Sequence, residues 1–273
     1  MLRPPMAGPF GPKRHTVRVY VENGLAGCNL ACGLGSPVVI VDALRASAMI
    51  ASLFHYGTQR LLVVREVEEA FAQKQRLPQA VLVGERGGPM VPGFDLGNSP
   101  LQSAPHRDIS CVVFSSSNCS RCCVAVAGLP AVFLGSTVNA SAVARRLKQV
   151  APEAEALTIV TAGSADDEGL LTLEDHVAAG AILAACEAEG LKPVPANDRA
   201  QVCQHLFGEG DQAAVTAAFE GSSNGRRLTK LGLGADVEFA SRLDVFDVTP
   251  RVVRAVQLPT GALGAELHPD RPA

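Results

Sequence analysis

An α/β protein with a sheet sandwiched by helices is what the pattern of apolar and polar residues predicts. Three observations carry the prediction. Continuous apolar runs recur at 37–41, 110–114, 131–134 and 157–160, as in strands buried on both faces. Segments with helical character alternate with these runs. Several runs also end in short polar residues, the place where open α/β sheets bind ligands.

Taken in order, residues 1–14 are Pro-rich and expected to be disordered. Residues 16–22 alternate Val17, Val19 and Val21 with polar neighbours, which predicts a strand. The run 37–41 is a buried strand, and 43–56 a helix closed by Gly57. Strands follow at 60–64 and 80–83, on either side of a helix at 67–76. Further strands are expected at 110–114, 131–134 and 157–160, with a helix at 139–150 whose basic residues suit the C-terminal end of its dipole. A long helix spans 172–189, and the Pro-containing stretch 191–210 marks a break. Helices at 212–219 and 226–231 precede an edge strand at 252–258. One domain over 15–264 with a flexible tail at 265–273 is the expected organisation.

Composition narrows the function. At 47% hydrophobic and 19% charged, the 273-residue chain builds a substantial core. A net charge of −3 gives no general attraction to nucleic acid or anionic lipid, and 4% aromatic content without Trp argues against a base-stacking platform. No run approaches the roughly 18 apolar residues of a membrane span. The start lacks a signal peptide's apolar stretch, so a cytoplasmic protein is expected. Of eight cysteines, Cys111, Cys186 and Cys203 read as core residues; the clusters Cys28/Cys32 and Cys119/Cys122/Cys123 lack the paired spacing of a structural zinc site.

Polar chemistry concentrates in 84–88 (GERGG) and 93–100 (GFDLGNSP). Glycines let backbone N–H groups approach a ligand, and carboxylates hold hard cations. Asp42 ends a buried strand while Arg45 and Ser47 open a helix; they could serve an anion site or simply cap that helix. Ser115, Ser116, Ser117 and Asn118 end another strand and could bind phosphate oxygens or make local turns. Ser136, Thr137 and Asn139 repeat that choice. Thr172 and Asp175 have capping-box spacing, which leaves Glu174 freer for chemistry, and His176 is expected to face solvent. Neither a G-x-x-x-x-G-K-[ST] loop, a D-x-D motif nor a Cys-x5-Arg loop is present.

The ordered set VVIVDALRAS (38–47), GERGG (84–88), GFDLGNSP (93–100), SSSNCS (115–120), GSTVNASA (135–142) and LEDHVAAG (173–180) resembles the 2-phosphosulfolactate phosphatase family. The likeness extends through SSNGRRL and ADVEF near 222–239. It implies a three-layer α/β sandwich with a mixed sheet and two similar halves. It further implies a Mg²⁺-dependent phosphatase that converts 2-phospho-3-sulfolactate to sulfolactate and phosphate, on a route to coenzyme M.

On this resemblance Asp42, Arg45, Glu85, Arg86 and Glu174 are the expected catalytic residues. Ser47, Asn98, Ser99, Ser116, Ser117, Asn118 and Asn139 are expected to bind substrate, and Asp42, Glu85 and Asp95 to hold Mg²⁺. The expected partner is a small anionic phosphorylated substrate, with neither nucleic acid nor membrane, and base rates favour a homodimer. Rival readings are a phosphatase for another organic phosphate and a non-catalytic anion binder of the same fold. One departure stands out. Cys119 occupies a position where the family usually has glycine, adding a Cβ where backbone freedom is expected to matter.

Overall fold

The computed structural model describes residues 16–164 and 170–270, so the disorder expected at 1–14 falls outside the described residues. In the first half the order is β1 (Thr16–Asn23), α1 (Gly24–Leu34), β2 (Val38–Val41), α2 (Ala46–His55), β3 (Leu61–Val63), α3 (Val67–Arg76), β4 (Val81–Gly84), β5 (Val112–Ser115) and α4 (Cys119–Ala125). Next come β6 (Val132–Gly135), α5 (Ala140–Val150), β7 (Ala156–Thr161), α6 (Leu173–Ala188), β8 (Lys192–Pro195) and α7 (Asp198–Phe207). Helices α8 (Gln212–Gly221), α9 (Ser223–Lys230) and α10 (Gly234–Ala240) precede the hairpin β9 (Thr249–Gln257) and β10 (Leu263–Asp270).

All ten strands form one mixed sheet in the order β4-β5-β3-β10-β9-β6-β2-β7-β1-β8. Its two flanks are parallel blocks, β4-β5-β3 and β6-β2-β7-β1-β8. The hairpin pairs antiparallel with both β3 and β6, so the blocks run in opposite directions. In a flat sheet their carboxyl ends would lie on opposite edges. Strand twist accumulates across a wide sheet and rotates one block relative to the other, and the hairpin between them carries a register shift between Glu266 and Leu267. The loops after β2 and β4 do meet: Arg45 Nη2 donates to the Gly88 carbonyl at 2.5 Å.

Sequence dictates which strands sit deep. All four residues of β2, β5 and β6 are buried, matching their unbroken apolar runs, whereas β1 alternates and lies next to the margin strand β8. Prolines 193 and 195 in β8 remove backbone donors from an edge that would otherwise template further pairing. Helix α2 is buried from Ala46 to Phe54, so the loop that feeds it is anchored in the core.

Three expectations for the second half need correction. Strand β9 is not an edge strand but the bridge between the blocks. The supposed tail from 265 is β10, paired along Leu263–Asp270 with β9 and at Ala265–Leu267 with β3. Its polar look misleads because its charges are matched: Arg254 Nη2 to Glu266 Oε2 at 2.8 Å, and Arg146 Nε to Asp270 Oδ2 at 2.7 Å. The break at 191–210 holds β8 and α7, the latter capped where Asn197 Oδ1 accepts from the Ala200 N–H at 3.1 Å.

Candidate active site

A cleft of about 480 Å³ opens where the loops after β2, β4, β5 and β7 meet the start of α9. One wall carries Asp42, Leu44 and Arg45, another Glu85, Gly87 and Gly88, with Asn98, Ser117 and Asn118 beside them. Gly163, Ser164, Leu170 and Thr172 line a third side, and Ser223, Asn224, Arg227 and Leu228 a fourth.

The acidic end is held by backbone donors. Asp42 Oδ1 accepts from the Ala46 N–H at 3.1 Å, and the Asp42 N–H donates to Ser47 Oγ at 3.0 Å. Ser47 thus fixes the turn rather than lining the cleft. Glu85 bridges two loops: Oε2 accepts from Gly88 N–H at 2.7 Å and Oε1 from Ser117 N–H at 2.8 Å. Gly84 before it sits at φ 155°, where an added Cβ would overlap the Ser115 carbonyl oxygen.

Asp175 was expected as half of a capping box. Instead its Oδ1 accepts from Ala43 N–H at 2.8 Å and its Oδ2 from the Thr172 hydroxyl at 2.8 Å, tying α6 to the Asp42 loop. Glu174 is 2% exposed and accepts no hydrogen bond among the described residues. Burial, with help from Glu85 and Glu174, pushes Asp42 up to about 6 against the pull of the Ala46 N–H. Burial, then Glu174 and Asp42, likewise holds Asp175 well above the ordinary carboxylate range.

Arginine placement departs from expectation. Arg86 does not face the cleft: its guanidinium donates to the Glu85 and Arg65 carbonyls at 2.7 and 2.6 Å and to Ser115 Oγ at 2.8 Å, clamping the ends of β3, β4 and β5. Arg45 reaches the cleft but is 3% exposed, with Nη1 on Asp236 Oδ2 at 2.6 Å. Asp236 also accepts from Ser99 Oγ at 2.5 Å, so Ser99 braces this pair rather than contacting the cleft. Arg227 rests on the Gly87 carbonyl and on Asn224 Oδ1, both at 2.6 Å.

Other expected residues are structural. Asp95 lies outside the cleft lining, its Oδ2 taken by the Leu82 N–H at 2.7 Å with Lys74 at 3.5 Å, so it does not join Asp42 and Glu85. Asn139 is fully buried and spends its amide on Ser136 N–H and on the Leu134 and Val248 carbonyls. Ser116 pairs with Ser120. Cys119 causes no conflict: it is the first residue of α4, has no positive φ and is fully buried. His176 is buried rather than solvent-facing. Its Nδ1–H donates to the Thr172 carbonyl at 2.8 Å while Nε2 has no partner among the described residues, and burial lowers its pKa.

Asp236, Asn224 and Arg227 were missed as site residues. Their one signal was the motif stretch 222–239, where Asp236 is a lone acid between Ala235 and Val237. The expected Asn98, Ser117 and Asn118 do line the cleft with Asp42 and Glu85, and Asn98 Oδ1 is buried without a partner among the described residues. No helix of the described residues is long and apolar enough to cross a membrane.

Comparison with known proteins identifies the family. A family model described as 2-phosphosulpholactate phosphatase matches residues 31–255. A probable 2-phosphosulfolactate phosphatase of Deinococcus radiodurans is 35% identical over 232 residues, covering 82% of this chain and 91% of that protein. One of Carboxydothermus hydrogenoformans, with the same description, is 34% identical over 213 residues, 78% and 84% of the two chains. The match spans every loop that lines the cleft, and the chain belongs to the 2-phosphosulpholactate phosphatase family, a family of phosphoric monoester hydrolases.

Proposed function

We propose that the chain hydrolyses the phosphate monoester of a small, multiply anionic hydroxy acid, with 2-phospho-3-sulfolactate as the leading substrate and Mg²⁺ as cofactor. The observation that carries this reading is the polarity of the cleft. Asp42 and Glu85 line it, with Glu174 and Asp175 acting on Asp42 or tied to its loop, and Arg227 lines it from α9 with its guanidinium on the Gly87 carbonyl.

Among the described residues no three Asp, Glu, His or Cys side chains form a ready metal cage. Mg²⁺ needs none, since it is held by one or two carboxylates and keeps several waters. The donor set fits on charge: burial first, with the neighbouring Glu85 and Glu174 adding to it, raises Asp42 to about 6, and a cation offsets both. Asp42 and Glu85 are the residues that would hold it, through lone pairs left free by their backbone donors. When bound, Mg²⁺ supplies charge neutralisation at the phosphoryl oxygens.

The chain's own residues supply the rest. Glu174 is outside the cleft lining but close enough to act on Asp42. With no hydrogen bond among the described residues, it is the carboxylate we assign to take the proton of the attacking water as the new O–P bond forms. The same proton then goes to the hydroxy-acid oxygen as its bond to phosphorus breaks. Arg45, Asn98 and Arg227 offer N–H donors for the ester's anionic groups.

The test is phosphate release from a panel of phosphorylated hydroxy acids with and without Mg²⁺. Turnover that requires Mg²⁺ is expected, with a loss of at least about 100-fold for Glu85→Gln and near wild-type rates for Asp95→Asn. Metal-loaded protein that turns over nothing would instead be an anion binder. Phosphate trapped on Asp42 would replace direct attack by water with a covalent route.

A further inference from the structure

We infer that Arg227, the first N–H groups of α9 and the Asn98 amide form a second anion subsite, which receives the substrate's carboxylate or sulfonate rather than its phosphate. This rests on the phosphatase reading and adds the determinant of its substrate class. Three observations support it, two on α9 and one on the segment after β4.

First, charge. Arg45 is matched by Asp236 at 2.6 Å, whereas Arg227 lines the same cleft with no carboxylate partner among the described residues. Its two recorded bonds, to the Gly87 carbonyl and Asn224 Oδ1, fix its direction and leave three of its five N–H donors available. Second, the backbone. Helix α9 begins at Ser223 with Ser222 Oγ satisfying the Gly225 N–H, which leaves the N–H groups of Ser223 and Asn224 without partners among the described residues. Both residues line the cleft.

Third, Asn98. It is 3% exposed, borders the cleft from the segment after β4, and carries a buried Oδ1 with no partner among the described residues. Neither amide atom has a hydrogen bond among the described residues. Oxygen and nitrogen of such an amide are interchangeable by rotation, so a donor can be turned toward a bound anion. A buried amide left unpaired is costly, which favours a ligand that satisfies it.

The acidic end orients the substrate. A bare carboxylate or sulfonate is repelled by Asp42, Glu85 and Glu174, whereas phosphate arrives there with a cation. The remaining acid group is left for the α9 wall, with Leu44 and Leu228 beside the carbon chain. Gly88 keeps this wall close: at φ 108° it has no Cβ, and one would stand 3.0 Å from Leu231 Cδ1 and 3.2 Å from Arg227 Nη1.

The experiment compares 2-phospholactate with glycerol 2-phosphate, which keeps the secondary phosphate and replaces the acid by neutral hydroxymethyl groups. In Arg227→Gln, kcat/KM for phospholactate is expected to fall about 10- to 100-fold further than for glycerol 2-phosphate, mainly through KM. Arg227→Lys should recover part of the difference. Equal loss on both esters would overturn the subsite, placing Arg227 on the phosphate or in the support of the Gly87 loop; no loss on either would also overturn it. Should the wild type hydrolyse neither these esters nor 2-phospho-3-sulfolactate in the presence of Mg²⁺, the phosphatase reading fails on its own, and calorimetry with 3-sulfolactate decides the subsite. Binding weakened by Arg227→Gln supports it, and absence of binding to the wild type overturns it.

Discussion

Asp236 holds together parts of the chain that are far apart in sequence. One oxygen takes Arg45 and the other takes Ser99, joining α10 to the start of α2 and to the segment that carries Asn98. Both partners of the ion pair are almost fully buried, so the attraction is unscreened and its loss is severe. Asp236→Ala strands the Arg45 charge and is expected to lower unfolding free energy by about 3–5 kcal/mol. Urea denaturation checks it; a change below about 1 kcal/mol would mean that water reaches Arg45 and screens it. Residue type alone could not reveal this. Asp42, Glu85 and Asn98 were legible as site residues because each stands in a distinctive polar stretch. Arg86 and Asp95 stand in the same stretches and were equally suggestive, yet both are occupied by neighbouring backbone groups. The direction of a side chain is set by tertiary contacts that spacing does not encode.

At the scale of elements, the sequence spoke clearly where burial is uniform and poorly where side chains are small or charged. Strands β2, β5, β6 and β7 were legible as apolar runs. Helix α1, GLAGCNLACGL, was not, because three glycines and two cysteines give no strong helical face and Asn23 makes no side-chain cap. Strand β10 was misread as tail because Glu266, His268 and Asp270 look solvated, although Glu266 and Asp270 each pair with arginines. The correction has a measurable consequence. A chain ending at residue 262 loses the partner of both β9 and β3, and is expected to be largely unfolded or aggregated. A cooperative thermal transition close to that of the full chain would show that β10 is dispensable.

For the whole molecule, the acidic end of the cleft makes stability depend on pH and cation together. Asp42 is raised from 3.8 to about 6, so the folded state binds the extra proton between those values. Stability of the metal-free protein therefore declines as pH rises through that window, by on the order of 3 kcal/mol from this group. The rise in melting temperature on adding Mg²⁺ is expected to be larger at pH 7.5 than at pH 5, and Asp42→Asn should flatten the metal-free profile. An equal Mg²⁺ effect at both pH values would remove Asp42 from the cation's surroundings.

The central hairpin also bears on how the protein is made. Of the ten described strands, the two synthesised last lie in the middle of the sheet. A nascent chain that has not yet released β9 and β10 carries two parallel half-sheets, each with a bare inner margin at β3 or β6. Such margins invite pairing with the wrong neighbour. Folding from the N-terminus thus cannot finish the cleft early: β9 and β10 have to be made before the two halves have a common floor.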